Sequence, residues 1–291
     1  MLTTVQLKAL LQTHGLRLNK RLGQHYLVDE RLVRRFIEQC GLSSQQTVIE
    51  IGAGLGALTE FLAQRAVRVI AVEVDRRISR LLAERMSHYP QVQVVHQDIL
   101  KFHWEDFPHS IVIGAIPYAL TSPILMRLCQ ARQIIPEAWL IVQKEIAQRL
   151  LAKPATRAYS RLSVMGQYCW RMKSVMAFPR QAFFPMPNVD SCGLHLIPQR
   201  SSPVSDERFF FELVKAAFSQ RRKTLVNCLI GFHPRLSSRL VAEALIRQMG
   251  LPIDIRGEVL SLEAFSRLAE KLSITDSKAV VVSKNTLRYR A

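Results

Sequence analysis

The sequence predicts an α/β protein with a doubly wound, mostly parallel sheet and a small helical domain at its C-terminal end. Short apolar runs alternate with helix-period segments as far as Ile197, which is typical of parallel strands covered by helices on both faces. Residues Pro198–Asp206 are rich in proline and serine, as domain linkers are. We therefore expect two domains, residues 1–198 and residues 199–291.

The second domain is predicted to be helical, because its apolar residues recur at a helical spacing. Three helices are expected, over Arg208–Cys228, Leu236–Gly250 and Ser261–Leu272. Residues 273–291 mix an apolar run with four basic residues and receive no assignment.

The charge of the chain favours a polyanionic partner. The net charge is +17 and the isoelectric point is about 10.2, and lysine and arginine contacts to phosphates drive nucleic-acid binding. An anionic membrane surface or a merely solvated basic face stays open as an alternative. No apolar run approaches the ~20 residues of a membrane span, and the first residues are too polar for a signal peptide.

The cysteines indicate a reducing compartment. All five, at positions 40, 129, 169, 192 and 228, lie far apart and form no Cys-x-x-Cys pair. We expect buried thiols of a cytoplasmic protein rather than disulfides or metal ligands, and we expect no metal site.

A glycine-rich turn predicts where a nucleotide binds. In Val48-Ile-Glu-Ile-Gly-Ala-Gly-Leu-Gly-Ala-Leu-Thr59 an apolar run meets three glycines spaced by two, which is typical of a buried strand that turns into a helix. Gly52 begins the turn, where a ligand can approach the backbone because no side chain intervenes. An ordinary strand–helix turn has the same pattern, so this interpretation depends on the segments that follow.

Two carboxylates end the next predicted strands. Glu73 lies about twenty residues after the glycines, where a carboxylate can accept both ribose hydroxyls. Asp98 ends the third strand and suits an adenine amino group, or else it is the N-cap of a helix. A dinucleotide needs its pyrophosphate over the glycine turn. Acids at the strand ends and a Pro-Tyr turn favour a nucleoside with an uncharged linker, such as S-adenosylmethionine.

With these elements, the chain resembles the rRNA adenine dimethyltransferases of the KsgA type, within the class I methyltransferases. The resemblance implies a Rossmann-like methyltransferase domain with S-adenosylmethionine as its cofactor. Seven motifs in one order, over about 200 residues, carry it. They are Lys20–Asp29, the glycine turn, Ile116–Tyr118, Val142–Ile146, Tyr159–Met165, Ala182–Ser191 and Ala217–Thr224.

The resemblance also assigns residues to the site. It implies a basic arm around His25 as a lid over the cofactor, with His25 in a binding role rather than in proton transfer. It implies a base held between Tyr118 and Phe183, although Phe183 as a core residue stays open. The cofactor set is His25, Leu27, Gly52, Glu73, Asp98 and Ala115; the catalytic set is Ala115, Pro117, Tyr118 and Phe183; the RNA set is Arg221, Arg222 and Lys223, unless that cluster is a solvated helix face.

Ala115 departs from the family pattern, Asn-(Leu/Ile)-Pro-(Tyr/Phe). The resemblance implies that the Asn oxygen and a backbone carbonyl accept hydrogen bonds from the adenine amine and so direct its lone pair. An alanine methyl accepts none, which predicts a loss of about 10²–10³ in rate. Three explanations are open: binding without chemistry, chemistry supported by backbone carbonyls alone, or an engineered change of an active enzyme. The intact neighbouring motifs favour the last.

The function implied by the resemblance is dimethylation of two adjacent adenines in small-subunit rRNA, by a monomer that acts on an assembling ribosomal subunit. A paired base cannot reach such a pocket, so the adenines must be looped out or flipped. One alternative is a large-subunit rRNA methyltransferase that confers antibiotic resistance, which Tyr159–Met165 argues against. The other is a non-catalytic ribosome-assembly or RNA-binding factor on the same fold, which Ala115 favours.

Overall fold

The computed structural model describes residues 1–16, 18, 23–199, 204–220 and 222–285. The chain divides into two compact units. The first is Met1–Gln148 with Cys169–Arg200, and the second is Arg149–Tyr168 with Ser201–Ala291. This division differs from the predicted domains at residues 149–168, which group with the C-terminal unit. The sequence pattern does not show that residues 149–168 belong to the C-terminal unit, because the alternation of strands and helices continues through them.

The described residues of the first unit form nine strands, of which seven make one sheet and the other two pair with each other. The strands are β1 Tyr26–Leu27, β2 Thr47–Ile51, β3 Arg68–Glu73, β4 Val92–His96, β5 Ile111–Ala115, β6 Ala138–Gln143, β7 Trp170–Phe178, β8 Phe183–Phe184 and β9 Ser191–Pro198. The sheet order is β4-β3-β2-β5-β6-β9-β7. The first five of these strands pair in parallel, and β9 pairs antiparallel with both β6 and β7. The expected α/β fold with a mostly parallel sheet is confirmed.

A second, two-stranded pairing joins the N-terminal arm to a distant loop. β1 runs antiparallel to β8, with Tyr26 opposite Phe184 and Leu27 opposite Phe183. The arm before the first long strand is thereby attached to the segment after β7.

The helices lie between and after the strands. They are α1 Thr4–Thr13, α2 Glu30–Gln39, α3 Thr59–Ala63, α4 Arg76–Arg85, α5 Thr121–Gln130, α6 Lys144–Leu150, α7 Arg161–Cys169, α8 Glu207–Ala217, α9 Leu225–Leu229, α10 Arg239–Gln248 and α11 Leu262–Asn285. Within the described ranges, none of them combines the length and the apolar character that crossing a membrane would require.

The helix predicted over Arg208–Cys228 is wrong, because the structure breaks it into α8 and α9. Thr224 starts α9 as its N-cap, where its hydroxyl accepts a hydrogen bond from the Asn227 N–H. The described residues between the two helices form turns and bends, so Arg222 and Lys223 do not lie on a helix. α11 continues past the predicted end at Leu272, as far as Asn285.

The expectation of five unpaired thiols is also wrong. Cys129 and Cys169 form a disulfide, with their Cα atoms 5.5 Å apart. The two residues are 40 positions apart in sequence, and they meet because the last turn of α5 lies beside the residue that precedes β7. Cys40 and Cys192 are buried free thiols, whereas Cys228 is partly exposed.

β5 approaches β2 unusually closely at Gly114. A Cβ atom added there would lie 2.6 Å from the Ile51 carbonyl oxygen and 2.9 Å from the Ile51 Cβ. Only glycine allows this approach, and the next residue along β5 is Ala115. The backbone oxygen of Ala115 in turn lies beside Gly52, 3.6 Å from where a Cβ of that residue would be.

We expect Gly114→Ala to lower the free energy of unfolding by about 2–3 kcal/mol, because the contacted atoms are backbone and cannot rotate away. Gly41→Ala is the matched control. Gly41 has φ +59° and no atom within 4 Å of an added Cβ. Gly41→Ala should therefore lower the free energy of unfolding only through the strain of the left-handed backbone conformation, by about 1 kcal/mol. Urea unfolding of both variants measures the difference, and equal losses would contradict the close approach.

Candidate active site

The carboxyl ends of the parallel strands gather most of the predicted site residues. In open α/β sheets, ligands bind in the crevice at this edge. One cavity there is lined by eight of the nine residues assigned to the cofactor and the target base. These are His25, Leu27, Gly52, Glu73, Ala115, Pro117, Tyr118 and Phe183.

Glu73 joins the glycine turn to the start of α4. The Gly54 N–H donates to its Oε2 at 2.9 Å, and the Asp75 N–H donates to its Oε1 at 2.9 Å. The carboxylate is buried, and burial raises its pKa while these backbone hydrogen bonds act in the opposite direction. A carboxylate has about four acceptor positions, so Glu73 keeps acceptor capacity for a ligand hydroxyl.

The glycine turn packs closely against its neighbours because its glycines have no side chain. Gly54 has φ +56°, and a Cβ there would lie 3.0 Å from the Tyr26 ring. The Tyr26 hydroxyl is buried and has no hydrogen-bond partner in the described part of the chain.

Glu50 is a site residue that sequence analysis did not single out. It lines the same cavity and is 1% exposed, and the Thr59 hydroxyl donates to its Oε2 at 2.6 Å. Burial raises the pKa of its carboxyl to about 8, although the Thr59 hydrogen bond lowers it in part. An acid inside the apolar run of β2 was the signal that could have identified it.

Tyr118, which lines the same cavity, is held by two contacts. Its hydroxyl is hydrogen-bonded to Ser191 Oγ at 3.0 Å, and its ring stacks on His25 with centroids 5.5 Å apart and planes 27° apart. Burial raises the pKa of the Tyr118 hydroxyl. His25 Nδ1 lies 2.6 Å from the Pro185 carbonyl oxygen, so His25 connects the arm, the Pro117–Tyr118 turn and the Phe183–Ser191 loop.

Phe183 lines the cavity but is only 5% exposed. Its ring packs near Phe178, with centroids 6.4 Å apart, and it belongs to a hydrophobic core cluster. In this structure Phe183 is therefore packed as a core residue, as the alternative in the sequence analysis predicted. The next residue, Phe184, is only partly buried.

Asp98 is the predicted cofactor residue that does not line the cavity. It follows β4, and its Oδ1 accepts the Leu100 N–H at 2.9 Å, which makes it the N-cap of a short 3₁₀ helix. Asp98 Oδ1 therefore acts as a helix N-cap, which was the alternative to adenine binding in the sequence analysis. Across the described ranges, no three His, Cys, Asp or Glu side chains are grouped as a metal site would require.

The basic clusters are only partly described. Arg17, Lys20 and Arg21 of the arm and Arg221 of the RNA set lie outside the described residues. Arg222 and Lys223 are exposed.

The glycine turn, the strand-end acids and the Pro-Tyr turn agree with a family match. Residues 15–249 match the sequence model described as "Ribosomal RNA adenine dimethylase". The chain belongs to this family. The match confirms the resemblance inferred from the motifs. It also confirms the class I methyltransferase fold and places the chain among the rRNA adenine methyltransferases.

Similar proteins cover nearly the whole chain. "Ribosomal RNA small subunit methyltransferase A" of Streptococcus pneumoniae is 40% identical over 91% of this chain and 95% of its own. The Geobacillus sp. protein of the same name is 37% identical with the same coverage.

Two solved structures share the architecture. The dimethyladenosine transferase from Plasmodium falciparum superposes with a TM-score of 0.72 and 26% identity, over 83% of this chain and 95% of that one. The 23S rRNA methyltransferase ErmE superposes with a TM-score of 0.64 and 28% identity, over 85% and 99%.

We expect Glu50→Gln to remove part of the pH dependence of stability. Because burial raises the pKa of the Glu50 carboxyl from 4.5 to about 8, the folded chain binds this proton more tightly than the unfolded chain. The free energy of unfolding should therefore fall as the pH rises through that range. Glu50→Gln should abolish roughly 1–3 kcal/mol of this fall between about pH 5 and pH 9.

Urea unfolding at both pH values measures the effect. Glu38→Gln is the matched control, since it makes the same change of charge at an exposed position on α2. If Glu50→Gln keeps the parent's dependence on pH, Glu50 is ionised in the folded chain and the assigned burial effect is wrong.

Proposed function

We propose that this chain dimethylates the exocyclic amines of two adjacent adenines in small-subunit rRNA, with S-adenosylmethionine as methyl donor. The observation that carries the proposal is one cavity lined by Glu73, by the glycine turn and by Ala115–Tyr118. Relatives named for the small subunit, 37–40% identical over 91% of the chain, support that target.

The cofactor end of the cavity fits a nucleoside. The free acceptor positions of Glu73 suit both ribose hydroxyls, and the cavity beside Gly52 admits the linker. Asp98 is proposed for the adenine, and the Leu27 backbone for the methionine portion. When bound, S-adenosylmethionine supplies an electrophilic methyl group on sulfur.

The target end of the cavity fits a flat base. Stacking on the Tyr118 ring, which Ser191 holds in place, would contribute roughly 1–3 kcal/mol. We propose that Phe183 supplies the opposite face. Pro117 has no N–H, so it adds no donor that would compete for the acceptors near the amine.

The adenine amine is a weak nucleophile because its lone pair is delocalised into the ring. Acceptors that hold both of its N–H groups localise that pair. Ile116 lines the cavity, and we propose that its carbonyl, which accepts no hydrogen bond from the described residues, holds one of them. Methylation gives a strongly acidic ammonium that releases its proton to water, so no side-chain base is required.

For the partner, we propose an assembling small ribosomal subunit in the cytoplasm, bound by a monomer of this chain. Arg221, Arg222 and Lys223 are proposed to contact phosphates, consistent with the net charge of +17. Two other functions stay as candidates. The similarity to ErmE favours a large-subunit target, and Ala115 favours a non-catalytic assembly factor.

We expect the parent chain to transfer labelled methyl groups to adenines of undermethylated small subunits and not to large subunits. Tyr118→Ala should lower the rate roughly 5- to 100-fold, because the base loses its stacking surface. Tyr118→Phe is the control: it keeps the ring, loses only the bond to Ser191, and should retain most of the activity. Methylation of large subunits alone would support the first alternative, and particle binding without any methylation would support the second.

A further inference from the structure

A surface groove on the first unit lies next to the target cavity. It is lined by Lys144, Glu145 and Gln148 of α6, by residues 179–181 and by residues 188–190, and we call it the flanking groove. We propose that it binds the nucleotide adjacent to the target adenine, so that the second adenine of the pair is held there while the first is methylated. The inference rests on the function proposed above and adds an RNA subsite to it.

The flanking groove and the target cavity are neighbours in the fold. Asp190 lines the groove, and the next residue, Ser191, lines the cavity, where its Oγ is hydrogen-bonded to the Tyr118 hydroxyl at 3.0 Å. Gln143, which pairs with Ser191 across β6 and β9, is followed by Lys144 of the groove. Because one phosphodiester joins adjacent nucleotides, a base stacked on Tyr118 leaves its neighbour close to this place.

Asp190 holds the two sides of the flanking groove together. Its carbonyl oxygen accepts a hydrogen bond from the Lys144 N–H at 3.0 Å, and its Oδ1 accepts one from the Arg180 N–H at 3.0 Å. Lys144 begins α6, and Arg180 begins the short 3₁₀ helix after β7. The groove therefore keeps its shape without a ligand, and binding does not have to order its backbone.

Two cations of the flanking groove suit a phosphate. Lys144 and Arg180 are exposed, and among the described residues their side chains form no hydrogen bond or ion pair. Basic side chains of this kind provide the phosphate contacts in nucleic-acid complexes. Glu145 and Asp190 also line the groove, so the surface is mixed in charge. One phosphate beside an uncharged base fits such a surface better than a cluster of phosphates does.

An amide and an apolar side chain of the flanking groove suit the base itself. Asn188 is exposed, and an asparagine amide can pair at once with the N6 amino group and with N7 of an adenine. Unstacked bases in single-stranded RNA present these edges to protein side chains. Val189, which is 42% exposed, adds an apolar surface for the face of the ring. The groove thus carries groups that recognise an adenine nucleotide, which is the neighbour of the target in the proposed substrate.

The test is a cycle between Asn188 and the bases of the adenine pair. Equilibrium binding to undermethylated small subunits is measured by filter binding at one salt concentration, with S-adenosylhomocysteine in place of the methyl donor. The particles carry both adenines, or guanosine in place of one or the other; guanosine keeps a purine ring but has O6 instead of the amino group. We expect the parent to bind a replaced particle about 5- to 100-fold more weakly, and Asn188→Ala to remove that difference at one of the two adenines.

Matched variants separate the base contact from the phosphate contact. Gln39→Ala removes an exposed amide from α2, outside the groove, and should keep the parent's discrimination between the particles. Arg180→Gln should weaken binding to all three particles by the same factor and reduce the salt slope of binding by about 1, because it removes a phosphate contact. Arg80→Gln, at an exposed position on α4, should change neither quantity.

Two outcomes would overturn the base subsite: a parent that binds all three particles equally, and an Asn188→Ala variant that keeps the parent's discrimination at both adenines. An unchanged salt slope in Arg180→Gln would overturn the phosphate contact. The binding measurement needs no methyl transfer, so its failure is distinct from failure of the proposed function. A parent that discriminates as expected but transfers no methyl group would support the subsite and overturn the proposed methyl transfer.

Discussion

The site depends on one buried carboxylate held by two backbone N–H groups. Glu73 ends β3 and receives hydrogen bonds from Gly54, in the turn after β2, and from Asp75, which caps α4. The cost of burying its charge is offset by these two bonds, and without them the N–H groups would lack a partner in a buried place. The same carboxylate therefore shapes the turn and presents its remaining lone pairs to a ligand.

A second constraint brings the reacting groups together. Gly114 lets β5 lie against the Ile51 backbone, so Ala115 and the Pro117–Tyr118 turn start beside Gly52. The residues proposed for the cofactor follow β2 and β3, and those proposed for the target base follow the adjacent β5. Because neighbouring parallel strands end at one edge, a methyl donor and an amine bound as proposed would share one cavity.

Local sequence patterns correctly predicted the features that depend on residues close together in the sequence. Apolar runs and glycine spacing identified the strands, the turn and the strand-end acid Glu73, since those features follow from residues close in sequence. His25 illustrates the limit: its contacts to Tyr118 and to Pro185, 160 residues away, depend on the pairing of β1 with β8. Cys129 and Cys169 meet for a similar reason, through the placement of α5 beside the start of β7.

Local hydrogen bonds and packing explain the other differences between the sequence-based predictions and the structure. Asp98 was assigned to a ligand, but its oxygen caps a 3₁₀ helix, and both roles use the same strand-end position. Thr224 interrupts a helical hydrophobic pattern because its hydroxyl caps a new helix. Phe183 belongs both to the core and to the cavity lining, since it packs near Phe178 and also lines the pocket.

Calorimetric titration with S-adenosylmethionine tests the central role of Glu73 most directly. The parent chain should bind, despite Ala115. Glu73→Gln, which keeps the shape but loses the charge and an acceptor, should weaken binding by about 1.5–3 kcal/mol, whereas Glu84→Gln on the exposed side of α4 should leave the affinity unchanged. Binding that is equal in the parent and Glu73→Gln, or absent in the parent, would contradict the account.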